Sequence, residues 1–285
     1  MVPTARQFVT KPLSEAEERR FFETIQLANG TFKTTAFKRL DDLNRMVGDR
    51  WRKMGASPHQ ILDVGASSGI TSVEWVEHLA SEGFDVSLTA TDLVFDGHLV
   101  ALSPGLDILL DNSGHVLQYV FLGTATSGFP GWMLKAGFAR IVRSIADAIV
   151  RLRGRDALLA RSKQKIVLAH GRARNHPRIV LLEDDLFAAP RPGMAGRYDA
   201  IRAANILNLG YFGTAELARA ITSLKARLSG AGASLIVVRT LEDGSNHGSL
   251  FTIDKSGRFV LIDRIGSGSE IEALVLGNHK SNRAE

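Results

Sequence analysis

Eleven consecutive residues carry the chemistry that can be read most directly: Ile61-Leu62-Asp63-Val64-Gly65-Ala66-Ser67-Ser68-Gly69-Ile70-Thr71. An apolar run reaches an acid, passes through small residues and opens into helix-forming sequence. A strand, a small-residue loop and a helix start, in that order, place a ligand at the carboxyl end of the strand. There the backbone can approach closely and helix amides point outward. A loop that cradles a pyrophosphate spaces three glycines as G-x-G-x-x-G. Here Ala66, Ser67 and Ser68 separate Gly65 from Gly69. Val86–Asp92 reads as a second strand ending in an acid. Asp92 lies 27 residues beyond Gly65, close to the spacing at which an acid meets ribose hydroxyls in Rossmann-like sites. Arg178–Phe187 is an apolar run that ends in Glu183, Asp184 and Asp185. Arg197–Asn208 reads as a further strand leaving through Asn205, with Tyr211 close behind.

The first of these segments resembles the first motif of the class I, Rossmann-like S-adenosylmethionine (SAM) methyltransferases. The ordered set of four extends the resemblance over roughly residues 56–96 and 164–276. It implies an α/β fold: a Rossmann-like doubly wound sheet, mostly parallel, closed by a terminal antiparallel hairpin. It also implies SAM as cofactor. Asp63, Gly65, Ala66, Ser67 and Gly69 would form the cofactor loop, with Asp92 and Leu93 at the ribose. Asp185 would take the adenine amine and the Leu186 amide a ring nitrogen, with Asp184 as the competing acid. Asn205 and Tyr211 would face the cofactor beside the substrate entrance. The exit of that fourth strand is similar to the chemotaxis-receptor methyltransferases, where an asparagine is followed by apolar residues.

Such a protein would be an enzyme, a transferase that moves a methyl group by in-line displacement. Because the cofactor carries the reactive group, the protein mainly positions the acceptor. A general base is required only for a hydroxyl or ammonium acceptor. His115, His170 and His176 read as surface histidines, so no catalytic residue is assigned. The histidines are scattered without metal-type spacing, and no metal is expected. The chain has no cysteine. That excludes disulfides, radical SAM chemistry on a cysteine-bound iron–sulfur cluster, and pyrimidine methylation through a cysteine nucleophile.

Elements must hold these residues in place. Residues 14–28 read as a helix capped by Ser14 and Glu17, and residues 35–54 as a second helix ended by Gly55 and Pro58. Together they suggest an N-terminal helical lid or extension over 1–55, followed by a SAM-binding domain over 56–285. About 65 extra residues separate Asp92 from Asp185 beyond what one crossover helix needs, so an insertion is expected over about 97–163. Within it, Leu106–Leu110 and Val116–Leu122 flank Asp111-Asn112-Ser113-Gly114, a hairpin signal. Leu134, Phe138, Ile141, Val142, Ile145, Ile149 and Leu152 then follow on one helical face, with Arg140, Arg143, Asp147, Arg151 and Arg153 on the rest. Three readings fit: a packed cap, a lid over the acceptor, or a peripheral membrane contact through about 132–153, where Trp132, Met133 and Phe138 neighbour Lys135 and Arg140. Ser249–Ile253 and Arg258–Asp263 form the terminal hairpin, and Glu270–Leu276 fits either a strand or a short helix.

The net charge is +5, but Lys135–Arg174 holds eleven basic residues against Asp147 and Asp156, a local +9 that leaves −4 elsewhere. The expected function is methyl transfer from SAM to a small-molecule or lipid-like acceptor. The alternatives are an RNA methyltransferase using the basic segment and a non-catalytic SAM-binding protein. Against RNA, Ala204-Asn205-Ile206-Leu207 lacks the Asn/Asp-Pro-Pro-aromatic signature of base-amine methylation, and aromatics are sparse among the basic residues. An NAD-dependent oxidoreductase is disfavoured by the glycine spacing. The N-terminus lacks an apolar signal core and no apolar run reaches membrane-spanning length, so the cytoplasm is the expected location.

Overall fold

A computed structural model describes residues 2–128, 131, 137–162 and 164–277. Trp132, Met133 and Lys135, read above as part of a membrane contact, lie outside the described residues. The chain forms two compact units. One joins the residues up to Thr35 with Val94–His170; the other joins Ala36–Leu93 with Gly171–Glu285.

The second unit holds the motif residues. Its strands are β1 (Gln60–Val64), β2 (Ser87–Asp92), β8 (Ile179–Glu183), β9 (Ala200–Ala204), β10 (Ser234–Thr240), β11 (Asn246–Ile253) and β12 (Phe259–Ile265). Among the described residues they form one sheet in the order β12-β11-β10-β9-β1-β2-β8. The five strands from β8 to β10 are parallel, and β11 and β12 add an antiparallel hairpin. This is a Rossmann-like, mostly parallel α/β sheet. The central strands are buried throughout, so Ile61, Leu62 and Val64 run without a polar alternation. Helices α3 (Asp41–Met54), α4 (Ile70–Ser81), α7 (Gly171–Arg174), α8 (Thr214–Arg227) and α9 (Glu272–Val275) belong to the same unit. The main core gathers Leu62, Ile201, Leu217, Leu224, Leu235 and Phe251 between the sheet and α8.

The first unit is built on a five-stranded antiparallel sheet, β6-β5-β4-β3-β7 among the described residues. Its strands are β3 (Asp96–Ser103), β4 (Leu106–Leu110), β5 (Val116–Phe121), β6 (Thr124–Ala125) and β7 (Gln164–Val167). Helices α1 (Ala5–Thr10) and α2 (Glu15–Phe22) pack Phe8, Phe21 and Phe22 with Ile25 against Leu99, Leu109, Leu117 and Ile166. A second cluster places α5 (Phe138–Arg153) and α6 (Arg155–Ala160) on Val100, Ile108 and Leu110.

Several expectations change here. The insertion is a sheet of its own, and β3 and β7 were not anticipated. The helices α1 and α2 complete its core, while α3 joins the other unit, so the expected division at residue 55 is not the one the packing makes. Helix α2 keeps the Ser14–Glu17 capping box but stops at Phe22. The chain then doubles back, with Leu27 bonded to Thr31 and Lys33 to Ile25 through their amides, because Gly30 turns with φ +82°. Helix α3 begins at Asp41, six residues later than its apolar spacing suggested. Within residues 270–276 the chain forms the short helix α9, Glu272–Val275.

Candidate functional site

In the parallel sheet, β1, β2 and β8 run outward in one direction and the chain then returns to the other side of β1 as β9. The strand order reverses between β1 and β9. In open α/β sheets a ligand sits at the carboxyl ends of the strands at such a reversal. The loop after β1 lies there.

That loop has unusual backbone. Gly65, Ser67 and Gly69 all take positive φ, +70°, +56° and +79°. The left-handed conformation is free for glycine and costs a serine about 1–2 kcal/mol. The strained serine is held by hydrogen bonds: its amide donates to Asp92 Oδ2 at 2.7 Å, and the Ala66 amide donates to the Thr91 carbonyl at 2.9 Å. The loop is therefore folded onto the end of β2, and Asp92, buried there, fixes it. Ser67 Oγ is buried and has no hydrogen-bond partner among the described residues. A buried hydroxyl without a partner is an exception in a folded chain. Gly69 ends the loop and starts α4; a Cβ there would press on Ala173 Cβ at 2.9 Å. A Cβ at Gly65 would collide with Ile206 Cγ2. The space beside Gly65 is thus filled by Ile206.

The remaining expected residues separate into two groups. Asp63 and Asn205 have side chains engaged within the protein. Asp63 accepts from Arg202 Nε at 2.9 Å and Nη2 at 2.6 Å, and from Ser72 Oγ at 2.6 Å. Arg202 is fully buried; it also donates to Asn44 Oδ1 and the Thr71 carbonyl and lies 4.4 Å from the Trp75 ring centre. Asn205, at φ +62°, accepts from the Thr240 amide at 2.7 Å and donates to Thr240 Oγ1 at 3.3 Å, which ties the exits of β9 and β10 together. At the end of β8, Asp184 pairs with buried Arg227 at 2.8 Å and with Arg191. That leaves exposed Asp185 to accept the Phe187 amide in a turn, while the Leu186 side chain enters the core. Of the two acids weighed for adenine, Asp184 is the structural one. Leu93 and Tyr211 are 58% and 67% exposed, on loops that leave the ends of β2 and β9.

Arg202, Ile206, Thr240 and Arg227 were missed. Arg202 was signalled by its setting: a charge inside Ala200-Ile201-Arg202-Ala203-Ala204, a buried strand, needs a partner. The register pairs it directly with Asp63 across β1 and β9. An open depression of about 480 Å³, lined by Arg239, Thr240, Leu241, Glu242 and Asp243, lies at the end of β10. Of the histidines read as surface groups, His170 is buried instead, with Nε2 3.0 Å from Glu18 Oε2, both within the antiparallel-sheet unit. Among the described residues no group of three or more His, Cys, Asp or Glu is placed to hold a metal ion.

No protein-family model and no curated protein sequence matches the chain. Solved structures do align with it. An O-methyltransferase family protein from Burkholderia thailandensis aligns at 11% identity over 72% of this chain and 39% of that one, with a TM-score of 0.33. The N-methyltransferase NodS from Bradyrhizobium japonicum WM9, in complex with S-adenosylhomocysteine, aligns at 14% identity over 70% and 65%, TM-score 0.34. A SAM-bound amino pentose methyltransferase from Micromonospora echinaspora aligns at 14% identity over 83% and 81%, TM-score 0.35. The chain spans less than two thirds of the length of the first two. All three are similar to this chain and all three are methyltransferases. At these identities and TM-scores no residue role and no acceptor passes from them to this chain.

Proposed function

We propose that the parallel-sheet unit binds SAM at the Gly65–Gly69 loop and that the chain transfers a methyl group to a small-molecule or lipid-like acceptor. One observation carries the reading: the glycine–serine loop sits at the reversal of strand order, held by Asp92 and presenting the buried, partnerless Ser67 Oγ. The residues fit the cofactor in part. The loop and Asp92 fit an adenosine ribose, and Asp185 with the Leu186 amide stands at the strand end where adenine would lie. Asp63 and Asn205 act one step back, by fixing β1 to β9 and β9 to β10.

When bound, SAM supplies an electrophilic methyl on sulfur. The chain's own residues then orient two partners, and an acceptor with a lone pair already free needs no proton removed. Leu93, Leu209, Tyr211 and Leu241 leave apolar surface exposed on loops at the strand ends, which suits an apolar acceptor. Isothermal calorimetry with S-adenosylhomocysteine tests cofactor binding, and a methyl-tritium transfer screen over small and lipid-like acceptors tests turnover. Binding without any transfer would leave a SAM-binding protein. Absence of binding would remove the reading altogether.

A further inference from the structure

Helix α5 carries an apolar line that the described residues of its unit leave exposed. The helix rests on its sheet through Ala139, Val142, Ala146 and Val150. The adjoining line of Ile141, Ile145 and Leu152 is 54%, 51% and 86% exposed. Spacings of four and seven residues keep these three on one side of the helix. Arg140 and Arg151, also exposed, stand three turns apart on the neighbouring flank, about 100° round the helix from that line. The acid of this helix, Asp147, is committed to its own unit, accepting the Tyr119 hydroxyl at 2.6 Å. Arg143 is likewise held, donating to Thr126 Oγ1 at 3.1 Å.

We propose that this face of α5 docks on an anionic lipid surface, with Ile141, Ile145 and Leu152 entering the headgroup region and Arg140 and Arg151 meeting lipid phosphates. An apolar line beside a basic edge is the pattern of helices that lie in a membrane interface. Charge selects the occupant. A second copy seated on the same face would bring like-charged arginine edges into one interface. An anionic plane meets both arginines at once, while their stems lie along apolar surface. Helix α5 alone forms this surface, and methyl transfer plays no part in it.

The test is flotation of the full chain with phosphatidylcholine vesicles, with and without phosphatidylglycerol, at low and high salt. Flotation with the anionic vesicles, weakened by salt, is expected. Leu152→Ser and Ile145→Ser alter exposed positions, so circular dichroism should be unchanged while vesicle binding falls by about tenfold. The double reversal Arg140→Glu/Arg151→Glu should remove the salt-sensitive part, a loss on the order of tenfold or more. No flotation with anionic vesicles at low salt overturns the proposal, as does flotation that these variants leave unchanged. So does a solution dimer that Leu152→Ser dissociates in a chain that does not float, which would assign the face to a second copy.

Discussion

Asp63 stands where a cofactor contact was expected and instead neutralises an arginine in the middle of the sheet. Breaking such a buried pair leaves an uncompensated charge, at a cost of about 3–5 kcal/mol. Asp63→Ala should therefore lower unfolding free energy by that order in urea, while Asp63→Leu/Arg202→Met should recover most of it, because both charges leave together. A single variant that costs under about 1 kcal/mol would contradict the assignment. Close by, burial pushes the Glu74 carboxyl above its ordinary 4.5, with Asp41 adding to the rise and the Lys38 amide, Arg202 and Arg172 opposing it. Its proton is held more tightly folded than unfolded, so ionised Glu74 costs stability at neutral pH. That cost fades as pH falls through the folded value toward 4.5. Glu74→Gln, which can still accept the Lys38 amide, should be more stable than the parent at neutral pH, with the difference closing in acid. Denaturant midpoints measured across pH would show it, and a pH-independent difference would contradict it.

The β1–α4 loop was the most legible element. Its strand and helix bounds, Gln60–Val64 and Ile70–Ser81, follow from an apolar run, a small-residue gap and a helical period that do not overlap. The contacts that set the loop were not legible, because they come from Ile206, Ala173 and Asp92, far along the chain. Helix α5 shows the same limit. Its period was plain, but Ala139 and Ala146, which sequence treats as neutral, lie on the buried side. The buried stripe is rotated accordingly, and Ile141, Ile145 and Leu152 fall outside it. In the loop itself, Ser67→Gly separates two roles. Relief of the left-handed backbone should raise stability by up to about 1 kcal/mol, and loss of Oγ should weaken S-adenosylhomocysteine binding. If binding is unchanged, Ser67 Oγ is not a ligand contact. Gly65→Ala should cost stability through φ +70° and the Ile206 contact, and adding Ile206→Ala should restore only the steric part.

At the scale of the whole molecule, the long spacing between Asp92 and Asp185 suggested an insertion but not which core the N-terminal helices would join, since helical periodicity reports burial without naming the partner. The basic segment is also divided. Arg172 and Arg174 belong to the parallel-sheet unit and residues 140–161 to the other, while Arg172 pairs with Glu77, Lys165 with Asp96, and Arg153 with the Leu102 carbonyl. With the basic residues divided between two units and several of them committed to partners, filter binding of a structured RNA at physiological salt should show no retention; tight, steeply salt-dependent retention would revive the RNA alternative. Among the described residues no helix is long and apolar enough to cross a membrane. The central claim is that the parallel sheet binds SAM at the loop closed by Asp92, and calorimetry of parent and Asp92→Ala addresses it most directly. S-adenosylhomocysteine should bind the parent more tightly than NAD does, and Asp92→Ala should weaken that binding by on the order of 1–3 kcal/mol. Tighter binding of NAD, or unchanged affinity in Asp92→Ala, would contradict the account.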